Sequence, residues 1–290
     1  MKRIALVLLS LLMLASLAVP AMAADEGMTF TADKTHPINK HLDKAPVTFE
    51  AVVRIPKGYT ERAGLIISSY IGGGHKDGIT LQFNSGKQLE LYYELAAGGN
   101  VRHKFTNIPV TSVATGEWVH ITVVKDEAAG KAHAYINGEF VQTADAATKP
   151  YGYMDASTAA DRKLLCIGGD HRNGNAYYWK GEIREIAMFS DIRTADEIKA
   201  DAKAIKEGSD NMLVWYQLKK GDLAAKDLSG NGNHMGDYKE PETTKAQTTA
   251  ATTKAPATKP TAPATFDAGV IIAAAAAVSM AGAVVLKKKR

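Results

Sequence analysis

Glu90-Leu91-Tyr92-Tyr93-Glu94 sets two carboxylates four residues apart. If the segment is a strand, alternation puts Glu90, Tyr92 and Glu94 on one face and Leu89, Leu91 and Tyr93 on the other. Two carboxylates across a groove are the machinery of glycoside cleavage, one as nucleophile and one as general acid. A retaining mechanism needs them about 5–5.5 Å apart, whereas strand positions i and i+4 have Cα atoms about 13 Å apart. The pair would have to lean together over Tyr92, so Glu90 and Glu94 are weighed as candidate catalytic residues against an ordinary solvated strand face.

A second constellation lies in Gly168-Gly169-Asp170-His171-Arg172-Asn173-Gly174-Asn175. Asp170, Asn173 and Asn175 offer the oxygen ligands that calcium takes, although turn chemistry explains Asn and Gly equally well. Asp227, Asn231 and Asn233 form a similar, weaker oxygen set. The eight histidines show no His-x-x-x-His spacing, so transition-metal catalysis has no support. Sugar recognition needs aromatic faces to stack on pyranose rings, with amides or carboxylates to bond hydroxyls. Tyr92, His171, Asn173, Asn175 and Tyr178 are the candidate ligand-binding residues, with Tyr177 and Trp179 as further aromatics. Gly72-Gly73-Gly74 could cradle phosphate, but no Lys-Ser/Thr pair follows, and it reads as a strand connection.

These residues must be positioned by strands. Val47 to Ile55 alternates, with Val47, Phe49, Ala51, Val53 and Ile55 inward, and Pro56-Lys57-Gly58 ends it. Leu65 to Ile71 is a continuous apolar run suited to a buried strand; Ile79, Leu81 and Phe83 share one face; Gln88 to Leu95 and Val101 to Ile108 alternate in turn. From Glu117 to Asp126, Val119, Ile121 and Val123 face one way while Trp118, His120 and Thr122 face the other, as in a half-buried strand. Lys131 to Ile136 then meets Asn137-Gly138, which suits the positive φ angles of a type I′ turn and returns the chain into Glu139 to Thr143. A short edge strand is expected at Met28 to Thr31, a loop over Lys149 to Arg162, a short central strand at Leu164 to Ile167, and further strands over Tyr177 to Phe189 and Met212 to Leu218. One helix is expected: Thr194 and Glu197 form a capping box, Ile198, Ala202 and Ile205 continue one face, and Gly208 should end it. Glu182 and Glu185 fall on opposite faces unless a bulge intervenes. Cys166 is the only cysteine, set in the apolar Leu164-Leu165-Cys166-Ile167 run, and reads as a buried hydrophobe rather than a reactive thiol.

Four pieces together resemble laminin-G-like domains of the concanavalin A-like jelly-roll class: Trp118-x-His120 with the β-branched strand after it, Tyr135-Ile136-Asn137-Gly138, Trp179 through Phe189, and Asp227-Leu228-Ser229-Gly230-Asn231-Gly232-Asn233-His234. The resemblance implies an all-β, two-sheet antiparallel jelly-roll sandwich with one short C-terminal-side helix. It also implies that Trp179 is packed inside and that Trp118 and His120 are structural, His120 satisfying a backbone group. The Asp227 segment opens such domains in their commonest arrangement and closes this one, so Met28 to Ile55 and Leu213 to Leu218 should lie near each other. Jelly-roll β-glucanases carry Glu-x-Asp-x-Glu along one strand; here Tyr92 stands in the central place. Calcium near a rim is also part of the resemblance, while function is not fixed by it, because such domains host lectins, adhesins and hydrolases.

The ends of the chain speak to compartment. Residues 1–23 have Lys2-Arg3, an apolar run and Ala21-Met22-Ala23, the pattern of a secretory signal peptide. The folded domain is expected over 24–238, followed by a Thr/Ala/Pro-rich disordered linker at 239–265, a transmembrane helix at 267–286 and a cytoplasmic basic tail at 287–290. The uncharged stretch Ala268 to Leu286 would rise about 28 Å as a helix, just enough for a bilayer core, and Lys287-Lys288-Lys289-Arg290 places its end in the cytoplasm. The whole tail resembles that of Gram-positive surface proteins, without a Leu-Pro-x-Thr-Gly motif. The chain carries +4 overall, yet residues 24–240 hold 26 Lys and Arg against 29 Asp and Glu, a net −3. No electrostatic footprint for nucleic acid remains in the domain. The expected partners are a glycan or a host or matrix surface ligand, with the membrane at the C-terminus and no certain cofactor beyond calcium as a candidate. A membrane-anchored, extracellular, non-catalytic binding module is the first reading; a glycoside hydrolase with a degenerate acid cluster and a structural surface protein are the alternatives.

Overall fold

The two-residue alternation along the chain produces twelve strands and two short helices in the computed structural model, which describes residues 26–69, 78–94, 100–145, 164–171 and 177–239. The strands are β1 (Met28–Thr29), β2 (Thr48–Arg54), β3 (Gly64–Ser68), β4 (Ile79–Phe83), β5 (Gln88–Glu94), β6 (Asn100–Pro109), β7 (Trp118–Asp126), β8 (Lys131–Ile136), β9 (Glu139–Asp145), β10 (Cys166–Ile167), β11 (Glu182–Phe189) and β12 (Met212–Gln217). The helices are α1 (Val110–Val113), a single turn that the periodicity does not predict, and α2 (Ala195–Asp201). The predicted Gly72–Gly74 connection and Lys149–Arg162 loop lie outside the described residues, as do the signal peptide, linker, transmembrane helix and basic tail. No helix among the described residues is long and apolar enough to cross a membrane.

All pairings are antiparallel. One sheet, A, runs β1-β11-β2-β7-β8-β9, with β12 also paired to β11; the other, B, runs β10-β3-β4-β5-β6. Inward side chains from both sheets fill one core, including Phe49, Ile67, Leu81, Phe83, Leu91, Tyr93, Phe105, Ile121, Trp179, Ile183 and Tyr216. The sandwich is the expected all-β architecture, with Trp179 at 1 % exposure and its indole N–H donating to the Glu182 carbonyl. The N- and C-terminal segments meet as expected: β2 and β12 both flank β11, and the Lys220 N–H donates to the Glu26 carbonyl.

The Asn137-Gly138 turn has φ of 51° and 82°, the type I′ signature. The Asp227 segment works as a clasp on β12. Both Asp227 oxygens accept backbone N–H groups, from Trp215, Ser229 and Asn233, while the Asn231 and Asn233 amides donate to the Met212 and Leu213 carbonyls. These side chains hold the backbone of β12 and of their own turn.

Cys166–Ile167 is an edge strand of sheet B, not a central one; it is buried because the His36–Ile38 segment hydrogen-bonds along its open side. The strand predicted from Tyr177 begins only at Glu182. For Glu182 and Glu185 the bulge condition is met: a register shift between Ile183 and Glu185 inserts Arg184 and sets both acids on the outer face of sheet A. The capping box of α2 is present, but the helix ends at Asp201 and Ile205 is buried from the turn beyond it.

β7, expected to be half-buried, is buried on both faces. Its outer side lies beneath the layer that contains α2. There the Arg193 N–H donates to Thr48 Oγ1, and Ile205 joins Ala187, Phe189, Met212 and Trp215 in a second small core. The His120 ring consequently meets the Glu50 carboxylate at 3.2 Å, rather than a backbone group. Burial raises the Glu50 carboxyl above the usual carboxylate range, His120 opposing, and raises Glu185 likewise against the indole N–H of Trp215.

Candidate functional site

Sheet B turns one face to the core and the other outward, and the outward face is polar yet sheltered. Ser68, Thr80, Gln82, Glu90 and Tyr92 are each at most 8 % exposed. The register explains their order: Thr80 sits opposite Ser68 and Tyr92, Gln82 opposite Glu90, and Arg102 opposite Tyr92. Buried polar groups must be paired, and here they pair with one another. Ser68 Oγ and Thr80 Oγ1 are 2.9 Å apart.

A row of side chains crosses the strands. Arg62 Nη2 donates to Gln82 Oε1 at 2.6 Å, Gln82 Nε2 donates to Glu90 Oε2 at 3.1 Å, and Arg102 Nη1 meets Glu90 Oε1 at 3.0 Å. Arg62 is fixed further by the Phe83 carbonyl at 3.1 Å. Each guanidinium covers a ring, Arg62 over Tyr177 at 4.0 Å and Arg102 over Tyr92 at 4.4 Å. Above the row is a polar groove of about 260 Å³ lined by Arg62, Thr80, Gln82, Tyr92, Arg102 and Tyr177, among others.

Glu90 is thus part of the floor. Its side chain is 0 % exposed and both oxygens are engaged. β5 pairs regularly from Leu89 to Glu94, so nothing in the strand brings the two acids together, and Tyr92 lies between them. The Glu94 side chain is outside the described set. The groove offers planar amide, guanidinium and hydroxyl groups beside aromatic rings, which suits hydroxyl-bearing ligands better than acid–base chemistry.

The remaining predicted residues do not gather there. His171 is turned to the Leu164 carbonyl at 2.7 Å and to Cys166 Sγ at 3.3 Å, which makes it a brace for the β10 edge. Asp170 is 2 % exposed; Asn173 and Asn175 lie outside the described residues. Among the described residues no group of three or more His, Cys, Asp or Glu side chains is arranged to hold a metal ion. Cys166 is buried, and burial reinforced by the Asp170 charge pushes its thiol up to about 12. Tyr178 lines a different cleft from Tyr92. Thr80, Gln82 and Arg102 were missed although their alternation was visible, because strand register was needed to set them beside Glu90 and Tyr92. Nothing local marks Arg62, which precedes its strand.

Two packed antiparallel sheets, one with a sheltered polar groove on its outer face, form a jelly-roll sandwich. The laminin G model of the concanavalin A-like lectin/glucanases superfamily matches residues 29–199, more than half of the chain, and the protein belongs to this superfamily. Among solved structures it is similar to a heptameric SAP-like pentraxin from Limulus polyphemus (18 % identity, 61 % of this chain and 80 % of that one, TM-score 0.40). It is also similar to the CBM40 of Ruminococcus gnavus IT-sialidase (14 %, 61 % and 96 %, 0.44) and to domains LG4–5 of the mouse laminin alpha1 chain (14 %, 58 % and 41 %, 0.39). No match was found among curated protein sequences.

Proposed function

We propose that this protein is a non-catalytic carbohydrate-binding module displayed at the cell surface, and that the groove on the outer face of sheet B receives the sugar. The observation that carries the reading is the Arg62–Gln82–Glu90–Arg102 row, whose two guanidiniums stack on Tyr177 and Tyr92. It is a preformed, hydrogen-bonded floor with aromatic rings at its sides, the combination by which sugar hydroxyls and ring faces are recognised. A sheltered carboxylate with both oxygens engaged serves to orient the donors around it. The signal peptide at 1–23, the span at 267–286 and the basic end at 287–290 supply the reading of location, with the domain outside and the C-terminus in the cytoplasm.

The test is a glycan-array screen of the full-length chain, solubilised in a non-ionic detergent, with and without calcium. Binding to a defined set of glycans that is lost on Tyr177→Ala, with no sugar release from the bound glycans, is the expected result. Release that disappears in Glu90→Gln would replace this reading with hydrolysis.

A further inference from the structure

Tyr177 and Tyr178 are chain neighbours that serve two different depressions. Tyr177 lines the groove on sheet B, whereas Tyr178 lines a cleft of about 530 Å³ with Arg54, Tyr59, Trp179, Lys180 and Glu182. That volume falls within the roughly 300–1,000 Å³ typical of small-molecule sites. The cleft is preformed. Gly64, at φ +95°, lies so close under the Tyr177–Tyr178 backbone that a Cβ would come within 2.3 Å of the Tyr178 carbonyl oxygen, and a Cβ on Gly181 would come within 2.1 Å of the Arg54 oxygen. Backbone bonds pin the same stretch, Leu65 N–H to the Tyr177 carbonyl and Lys180 N–H to the Ala63 carbonyl.

The charges of the cleft are unequal. Arg54 and Glu182 pair at 2.6 Å, and Glu182 also accepts the Gly27 N–H. Lys180 holds its ammonium 3.1 Å from the centroid of the Tyr178 ring, and no carboxylate among the described residues forms an ion pair with it. One positive charge therefore remains beside an apolar base, formed by Phe30, Pro56 and the nearly buried Trp179. A ligand that answers both features has an apolar ring face and an anionic substituent.

We propose that this cleft is a second binding site, specific for a carboxylate-bearing sugar unit whose carboxylate pairs with Lys180. The sugar ring lies against Tyr59, beside the Tyr178 ring that the Lys180 ammonium covers. A uronic acid and a nonulosonic acid share this chemistry, and the assay separates them.

The experiment titrates the full-length chain, in non-ionic detergent, with trigalacturonate and its methyl ester, and with N-acetylneuraminic acid and its methyl ester, by calorimetry. Esterification removes the charge and keeps the ring. The expected result is that at least one acid binds about tenfold more tightly than its ester, and that 0.5 M NaCl narrows the gap. Lys180→Met should abolish the preference and Lys180→Arg should keep it, both with an unchanged melting temperature. Which pair shows the preference identifies the source. Equal binding of acid and ester, or a preference that survives Lys180→Met, overturns the second site. If neither pair binds while the array shows other glycans held through Tyr177, the second site falls and the groove reading stands; an array with no binding at all removes the groove reading separately.

Discussion

Arg102 and Glu90 are unequal partners. The arginine side chain is 44 % exposed and the glutamate 0 %. Truncation to Arg102→Met leaves a sheltered carboxylate with only its Gln82 donor, which costs roughly 2–3 kcal/mol. Glu90→Gln leaves a guanidinium that water can still reach, and retains an amide for Gln82, so its cost is about 1 kcal/mol. Urea unfolding of the two variants should show this order; the reverse order would mean that the Glu90 charge is not sheltered in solution. Cys166 offers a second residue-level check. With its thiol pushed up to about 12 by burial, almost no thiolate exists at pH 8, and an aromatic disulfide reagent should label the native chain far more slowly than the urea-unfolded chain, which should yield one thiol per molecule. Rapid native labelling would show that the β10 edge opens.

At the scale of elements, the layer over the outer face of sheet A explains both a misreading and a pH dependence. Alternation along β7 correctly divided Val119, Ile121 and Val123 from His120 and Thr122, because a two-residue period follows from backbone geometry alone. It could not show that residues some 70 positions later, Arg193 to Ile205, would cover the polar side. Glu50 and Glu185 are buried as a result, and burial raises both carboxyls. A carboxyl whose folded pKa lies above its unfolded value is protonated earlier in the folded state, so folding stability falls as pH rises from about 4.5 through the folded value. His36 and His103 act in the opposite sense. Burial lowers both, so their contribution is lost as pH falls from about 6.5 through their folded values. The double variant Glu50→Gln, Glu185→Gln isolates the acidic pair. Its melting temperature relative to the parent should rise from about pH 4.5 up through the folded values of the two carboxyls and then level off. A constant difference across that range would show that the two carboxylates are solvated when charged.

For the whole molecule, the sandwich was legible because its signals are local: the Asn137-Gly138 turn, the inward residues of β2 and β4, and the Asp227 clasp each declare themselves within a few residues. The groove was only half legible. Glu90 and Tyr92 were visible as a shared strand face, but their meaning changed once register brought Gln82 and Arg102 beside them, and Arg62 came from outside any periodic run. The placement of the domain relative to a membrane rests on composition alone, and it makes a prediction that separates anchoring from simple secretion. If residues 267–286 span the bilayer with Lys287–Arg290 inside, trypsin added to intact cells should cut the lysine-bearing linker at 239–265 and release the domain, while a C-terminal epitope after Arg290 stays protected until the cells are permeabilised. The all-antiparallel sandwich has its own core and every strand of both sheets within residues 26–239, so the released fragment should keep the melting temperature and glycan binding of the intact chain. Protection of the whole chain would place the domain inside the cell, and recovery of the uncut chain from the medium would show that the C-terminal helix does not hold it.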